Sequence, residues 1–292
     1  MNHNATPRFA VIGNPVAHSR SPAIHRMFGA QTGIALDYDR IAAPVDQFVQ
    51  TVETFFAEGG RGLNVTVPFK LDAWQIAREH LSLRAQQAQA VNTLWMENGS
   101  LHGCNTDGPG LVDDLLRLGI TAPHADILIV GAGGATRGVI GPLLLAGARR
   151  LRIVNRTRHK AVDLVDWWLG HDSALRDRLS AGGLSEAERP GGWDLVINAS
   201  ASSLADAAPD LPGGLYAPNA LAYDMMYSTN PTPFMRQAAA DGAHRTEDGL
   251  GMLVAQAAIS FAIWHGVKPA TEPVLQAIRA ELEASLHTPK KG

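Results

Sequence analysis

Short apolar runs alternate with amphipathic stretches along most of the chain, and this rhythm predicts strands and helices in alternation. Phe9-Ala10-Val11-Ile12 reads as a strand ending at Gly13. A helix follows over residues 22–30, with Ser21 as its N-cap and Pro22 in its first turn. Residues 36–41 predict a second strand and residues 44–57 a helix with Phe48, Val49, Val52, Phe55 and Phe56 on one side. Residues 63–67 predict a third strand. The βαβ order implies a parallel sheet. Two further strands, 91–96 and 100–102, flank Asn98-Gly99, a hairpin turn that adds an antiparallel piece before a helix over 108–118.

The rhythm then restarts. Ile127-Leu128-Ile129-Val130 is a fully apolar strand running into Gly131-Ala132-Gly133-Gly134, with a helix to residue 146. Gly141-Pro142 should remove one backbone bond from that helix and bend it. Strands follow over 151–154, 194–198 and 221–224, with a loop rich in Gly and Pro over 207–214. Helices over 250–265 and 272–286 close the chain. The reading is an α/β protein: a mixed-sheet domain over 1–106, a doubly wound domain over 107–247 inserted into it, and helices over 248–292 that return to the first.

With 292 residues, two such domains each bury a core without disulfides or metals. Lys+Arg 25 against Asp+Glu 28 gives a net charge of -3, too balanced for the basic face that phosphate-backbone binding needs, so no nucleic-acid partner is expected. The apolar stretch from 250 to 264 is shorter than the roughly 20 residues of a bilayer span, so no membrane partner is expected either. The single cysteine, Cys104, reads as packing material, and the first residues lack a basic and apolar leader, so the expectation is a cytoplasmic protein. His18 and His25 are spaced like no common metal pair, and no metal is expected.

A glycine turn between a buried strand and a helix lets backbone approach a pyrophosphate seated on the helix N-terminus. Gly131, Gly133 and Gly134 stand there, with Thr136 at the third glycine position. The plain alternative is a tight turn. At the end of the next strand, where a site for NAD carries an acid, the chain has Asn155-Arg156-Thr157-Arg158, with Lys160 close behind. Arg156 offers a planar fork and Thr157 a hydroxyl to a 2′-phosphate, which selects NADP, against the alternative of a solvated basic loop.

In the first domain, the hydroxyls of Ser19-Arg20-Ser21 beside a helix N-terminus suit a carboxylate. Asn64 and Thr66, two apart, face one side of the third strand, and Lys70 starts the next helix. A partly desolvated lysine oriented by a carboxylate can donate or accept a proton, and Asp107 is the candidate carboxylate. The alternatives are a surface lysine and an ordinary N-cap.

Together these segments resemble the shikimate dehydrogenase family nearly end to end. The resemblance is carried by Gly13-Asn14-Pro15 with Ser19 to Pro22, Asn64 to Lys70, Ala90-Val91-Asn92-Thr93, Asn105-Thr106-Asp107-Gly108 and Gly131 to Gly138. It continues through Asn155-Arg156-Thr157, Asn198-Ala199-Ser200, Tyr223-Asp224-Met225 with Tyr227, and Asp248 to Leu253. It implies NADP-dependent interconversion of 3-dehydroshikimate and shikimate by a substrate domain and a Rossmann-type NADP-binding domain, with the site in the interdomain cleft. It implies that Ser19, Ser21 and Tyr227 hold the carboxylate, and that Asn64, Thr66, Asn92, Asp107 and Gln256 surround the ring hydroxyls. Lys70 and Asp107 would be the catalytic pair. Gly131, Ala132, Gly133, Gly134 and Ala135 would hold the pyrophosphate, Asn155 to Lys160 the 2′-phosphate, and Met225 and Gly249 the nicotinamide side. A monomer or homodimer is expected.

Three positions depart from the family pattern: Gln89 stands where Gly is common, Leu83 where an acid is frequent, and Ser200 for Thr. The nearest rival is a quinate/shikimate dehydrogenase tolerant of NAD, against which Arg156 and Ser19 both argue. A catalytically silent NADP-binding sensor of the same fold would lose Lys70 or Asp107, and both are present.

Overall fold

The computed structural model describes residues 6–200, 202 and 206–287; of residues 1–7, where no leader is expected, the first five lie outside the described residues. The chain forms two compact units. One comprises residues 1–111 and 253–281, the other 112–252 and 282–292.

The first unit begins with β1 (Arg8–Gly13), α1 (Ser21–Thr32), β2 (Asp37–Ala42), α2 (Phe48–Ala57) and β3 (Gly60–Val65). It continues with α3 (Lys70–Ile76), α4 (Leu83–Ala88), β4 (Thr93–Glu97), β5 (Ser100–Cys104) and the start of α5 (Asp107–Arg117). Its sheet has the order β2-β1-β3-β4-β5, with β1 parallel to β2 and β3, and β4 antiparallel to both neighbours. The hairpin is the one the sequence predicts: Glu97 pairs with Ser100, and Asn98 and Gly99 both take positive φ, 51° and 81°, as a two-residue turn of matching twist requires. One face packs Ile12, Leu63, Val65 and Leu94 against Phe48, Val52, Phe55 and Phe69.

Several boundaries differ from the sequence reading. The N-cap of α1 is Arg20, not Ser21, and the first-turn amide of Ser21 donates to Ser19 Oγ at 3.3 Å. The chain over Val45–Gln47 is a separate 3-10 turn, so α2 starts later than predicted. The strand β3 lies earlier than predicted because Val67-Pro68 turns the chain, with Phe69 N bonded to Thr66 O at 3.0 Å and no amide on Pro68 to continue a ladder.

The second unit contains β6 (Asp126–Val130), α6 (Gly134–Leu145), β7 (Arg150–Val154), α7 (Arg158–His171), β8 (Leu179–Gly182), β9 (Trp193–Asn198), β10 (Tyr216–Asp224), α8 (Pro233–Ala240) and β11 (Arg245–Asp248). All its strands are parallel, in the order β11-β10-β9-β6-β7-β8. Chain order therefore reverses between β6 and β9, the crevice where doubly wound sheets bind ligands. The helix α6 runs on through Pro142. Last come α9 (Leu250–His265) and α10 (Glu272–His287). In the first unit, Trp264 of α9 lies 4.9 Å from the ring of Phe9 and takes the space over Gly62, where a Cβ would come within 2.5 Å of it.

Candidate active site

Strand register gathers the polar residues of the first unit. Val11 pairs with Asn64, Asn64 with Thr93, and Thr93 with Cys104, so one row crosses four strands. Because β3 and β5 end where β4 begins, Thr66, Asn92, Asn105 and Asp107 all emerge at the same edge of the sheet. The register thus brings together residues far apart in sequence.

Lys70 and Asp107 meet at this edge. Lys70 Nζ lies 2.5 Å from Asp107 Oδ2, with side-chain exposures of 15% and 6%. Lys70 is the first residue of α3, where the helix dipole disfavours a cation, so the carboxylate rather than the helix holds it. Asp107 opens α5, and its other oxygen accepts from Asn92 Nδ2 at 2.9 Å. Asn105 Oδ1 receives the Asp107 amide at 3.1 Å, so a neighbour caps this turn and leaves the Asp107 carboxylate to Lys70 and Asn92.

Behind the pair lies a buried polar network. Asn92 Nδ2 also reaches Thr106 Oγ1 at 2.8 Å and Gln256 Oε1 at 3.2 Å, and Asn92 Oδ1 accepts from Thr106 N at 2.9 Å and from Thr93 Oγ1 at 2.9 Å. Gln256 comes from α9, one turn before Ser260, whose hydroxyl joins Asn64 Nδ2 at 3.0 Å and Thr93 Oγ1 at 2.8 Å. Asn64 Oδ1 accepts from Tyr38 OH at 2.7 Å. Gly110 on α5 allows this approach: a Cβ there would stand 2.7 Å from both Cβ and N of Gln256. Tyr38, Thr93, Asn105, Thr106 and Ser260 were not among the sequence candidates. Asn105 and Thr106 adjoin Asp107 in sequence; Tyr38 and Ser260 carry no local motif.

Ser19 Oγ donates to Ser21 Oγ at 3.2 Å, a pair of hydroxyls at the start of α1. Thr66 lies on the turn after β3 with its methyl toward Gly13, where a Cβ would clash at 2.3 Å. His25 of α1 is buried and stacks on Tyr38 with centroids 4.3 Å apart. Burial, and next the charge of His265, push its pKa down to about 3 against an opposing influence of Asn64, so its ring is neutral.

In the second unit, the loop after β6 has the form a dinucleotide phosphate requires. Gly131 takes φ 115° and packs against the backbone of Ala199, with 3.0 Å to a Cβ built there. Among the described residues nothing beyond its chain neighbours lies within 4 Å of a Cβ at Gly133, and no side chain caps α6, which leaves the N-terminus of that helix without a side-chain acceptor. Thr136, at the third glycine position, is buried and spends its hydroxyl on Gly131 O at 2.9 Å. The donor set fits an anionic group: Arg156 and Lys160 are exposed, and Asn155 Nδ2 holds the turn by donating to Thr157 O at 2.9 Å. Arg158 is partly engaged, its Nε bonded to Glu186 Oε1 at 2.8 Å. Met225, Tyr227 and Gly249 belong to this unit, and Gly249 lies where a Cβ would meet Met225 O at 2.2 Å. Asp224, fully buried, accepts from Thr232 Oγ1, Asn198 Nδ2 and the Met226 amide, which fixes the segment carrying Met225 and Tyr227.

Known proteins resemble this chain over nearly its whole length. Residues 11–94 match the family description "Shikimate dehydrogenase substrate binding domain", and residues 249–279 match "Shikimate 5'-dehydrogenase C-terminal domain". A shikimate dehydrogenase (NADP(+)) of Bordetella petrii is 62% identical over 278 residues, covering 95% of this chain and 97% of the relative. Among solved structures, an Ael1 enzyme from Pseudomonas putida is 41% identical with a TM-score of 0.85, covering 95% of this chain and 100% of that one. A shikimate 5-dehydrogenase from Thermus thermophilus, solved in complex with NADP(H) and shikimate, is 33% identical with a TM-score of 0.81, covering 94% of this chain and 99% of that one.

Proposed function

The chain belongs to the shikimate dehydrogenase family, and from that premise we propose that it reduces 3-dehydroshikimate reversibly to shikimate with NADPH, using Lys70 and Asp107 as its acid–base pair. The observation that carries the residue assignment is the 2.5 Å contact between Lys70 Nζ and Asp107 Oδ2 at the mouth of a buried polar network. NADPH, when bound, supplies the hydride that the ketone carbon receives. Lys70 hands a proton to the carbonyl oxygen as that oxygen gains negative charge, and recovers one from water. In the oxidative direction Lys70 takes the hydroxyl proton. Asp107 keeps the ammonium aimed at that oxygen and accepts from a neighbouring hydroxyl.

Ser19, Ser21 and Tyr227 hold the substrate carboxylate, while Asn64, Thr66, Asn92 and Gln256 contact the ring hydroxyls. The uncapped α6 terminus, from Gly131 to Ala135, takes the pyrophosphate. Asn155, Arg156, Thr157, Arg158 and Lys160 take the 2′-phosphate, and Met225 and Gly249 border the nicotinamide. The same reading takes the protein to be cytoplasmic, a monomer or homodimer without a nucleic-acid partner; the net charge of -3 supports the last point.

The test is initial-rate oxidation of shikimate and of quinate, each with NADP and with NAD. Turnover confined to shikimate with NADP is expected. Comparable rates with quinate or NAD would move the chain to the quinate/shikimate branch.

A further inference from the structure

We propose that Tyr38 is a positioning residue for substrate recognition: its hydroxyl pins the amide of Asn64, so that Asn64 offers only N–H donors to the ligand. This rests on the reading of Asn64 as a substrate contact.

Tyr38 lies on β2 with 1% exposure, and its hydroxyl donates to Asn64 Oδ1 at 2.7 Å, the shortest contact Asn64 makes. At the other end, Asn64 Nδ2 faces Asn92 O at 3.2 Å, Thr93 Oγ1 at 3.3 Å and Ser260 Oγ at 3.0 Å. A backbone carbonyl can only accept, so the amide nitrogen must face Asn92 O; flipping the amide would set two oxygens against each other. Three acceptors share two hydrogens, all at longer range than the Tyr38 bond. A ligand oxygen can therefore take one of those hydrogens while the Oδ1 end stays fixed. A ring hydroxyl that meets Asn64 meets a donor, and must accept.

The ring of Tyr38 is held as firmly as its hydroxyl. It stacks on His25 at 11° between planes, and His25 lies in turn beside Phe28, Phe261 and Trp264. Neither ring nitrogen of His25 makes a hydrogen bond of normal geometry among the described residues, although Asn64 is near enough to oppose the fall in its pKa, and its stacked ring supports Tyr38.

The test compares Tyr38→Phe, Asn64→Ala and the double variant by shikimate KM and kcat, by NADP+ binding in fluorescence titration, and by thermal melting. Tyr38→Phe keeps the stacked ring and is expected to raise shikimate KM about tenfold, the scale of one unsatisfied buried acceptor, with kcat and NADP+ affinity little changed. Asn64→Ala should raise KM at least as much, and adding Tyr38→Phe to it should do nothing more, because the two act as one. An unchanged KM in Tyr38→Phe beside a raised KM in Asn64→Ala overturns the positioning role. Additive effects in the double variant overturn it as well, since Tyr38 would then act elsewhere. A silent Asn64→Ala removes the underlying reading of Asn64. If Tyr38→Phe does not fold, Asn64→Asp replaces the donor with an oxygen while keeping an acceptor for Tyr38; a wild-type KM there defeats the donor-only polarity.

Discussion

Lys70 is the first residue of its helix, a position the dipole disfavours for a cation, and Asp107 is the first of another, where an acid is favoured, so Lys70 is the member whose place stability does not explain. Lys70→Ala is expected to lower kcat by a factor of about 10² to 10⁴, the span of general acid–base catalysis, with a melting curve close to wild type. A loss of activity matched by a loss of folded protein would contradict that division. His25 carries a different prediction. Its folded-state pKa of about 3 lies below its ordinary 6.5, so between those values the unfolded chain binds the proton and the folded chain does not. The stabilising contribution is complete above about pH 6.5 and is lost as pH falls toward 3, at about 1.4 kcal/mol per unit. Melting temperature should fall on acidification through that window, and His25→Phe should flatten this part of the curve. The meeting of Lys70 and Asp107 was legible because each sits in a short motif. Tyr38 was not, because its partner is Asn64, and only the β2-β1-β3 strand order brings them together.

Elements decide how close these side chains come. The strong apolar runs gave β1, β6, β7 and β9 directly, since buried strands of a parallel sheet leave little else in their sequence. Strands β8 and β11 stand out little in the sequence because Leu179–Gly182 is only four residues of mostly small side chains and Arg245–Asp248 is short and polar, both at edges of their sheet. Helix α7 carries a regular apolar stripe at Ala161, Leu164, Val165 and Trp168, so its pattern stands in the sequence, whereas α8 spans only 8 residues and offers a short one. At Gln89 the backbone suits glycine, since this residue closes α4 at φ 48° in the left-handed region, and nothing in the structure explains the glutamine that stands there. Gln89→Gly should therefore raise stability by about 1 kcal/mol, read as a higher denaturant midpoint. Leu83 opens the same helix and is 68% exposed, so no packing demanded it over an acid. Ser200 keeps the hydroxyl role with a 2.7 Å bond to Asn198 Oδ1. On α5, Gly110→Ala should push Gln256 and α9 outward, costing about 1–3 kcal/mol and raising shikimate KM; an unchanged KM would mean that Gln256 does not contact the substrate.

At the scale of the molecule, the second unit has the strand order of a dinucleotide-binding sheet, and among the described residues no helix is long and apolar enough to cross a membrane. NADP+ at a hundred times its dissociation constant should stabilise the folded chain by about 2.7 kcal/mol, and Arg156→Gln should lose most of that gain at the same concentration while NAD+ gives equal shifts in both. Equal shifts with NADP+ would remove Arg156 from the phosphate site. The first unit is built from residues 1–111 and 253–281, with the chain leaving it inside α5 and returning inside α9. This division bears on the order of synthesis. As the polypeptide leaves the ribosome, the glycine loop and its sheet emerge whole, whereas the polar network around Asn92 still lacks Gln256 and Ser260. Nascent chains stopped short of α9 already carry Lys70 and Asp107, yet without the two side chains that complete the network behind them. The strands of the second sheet, which end at Asp248, can therefore pair before α9 completes the polar network of the first unit.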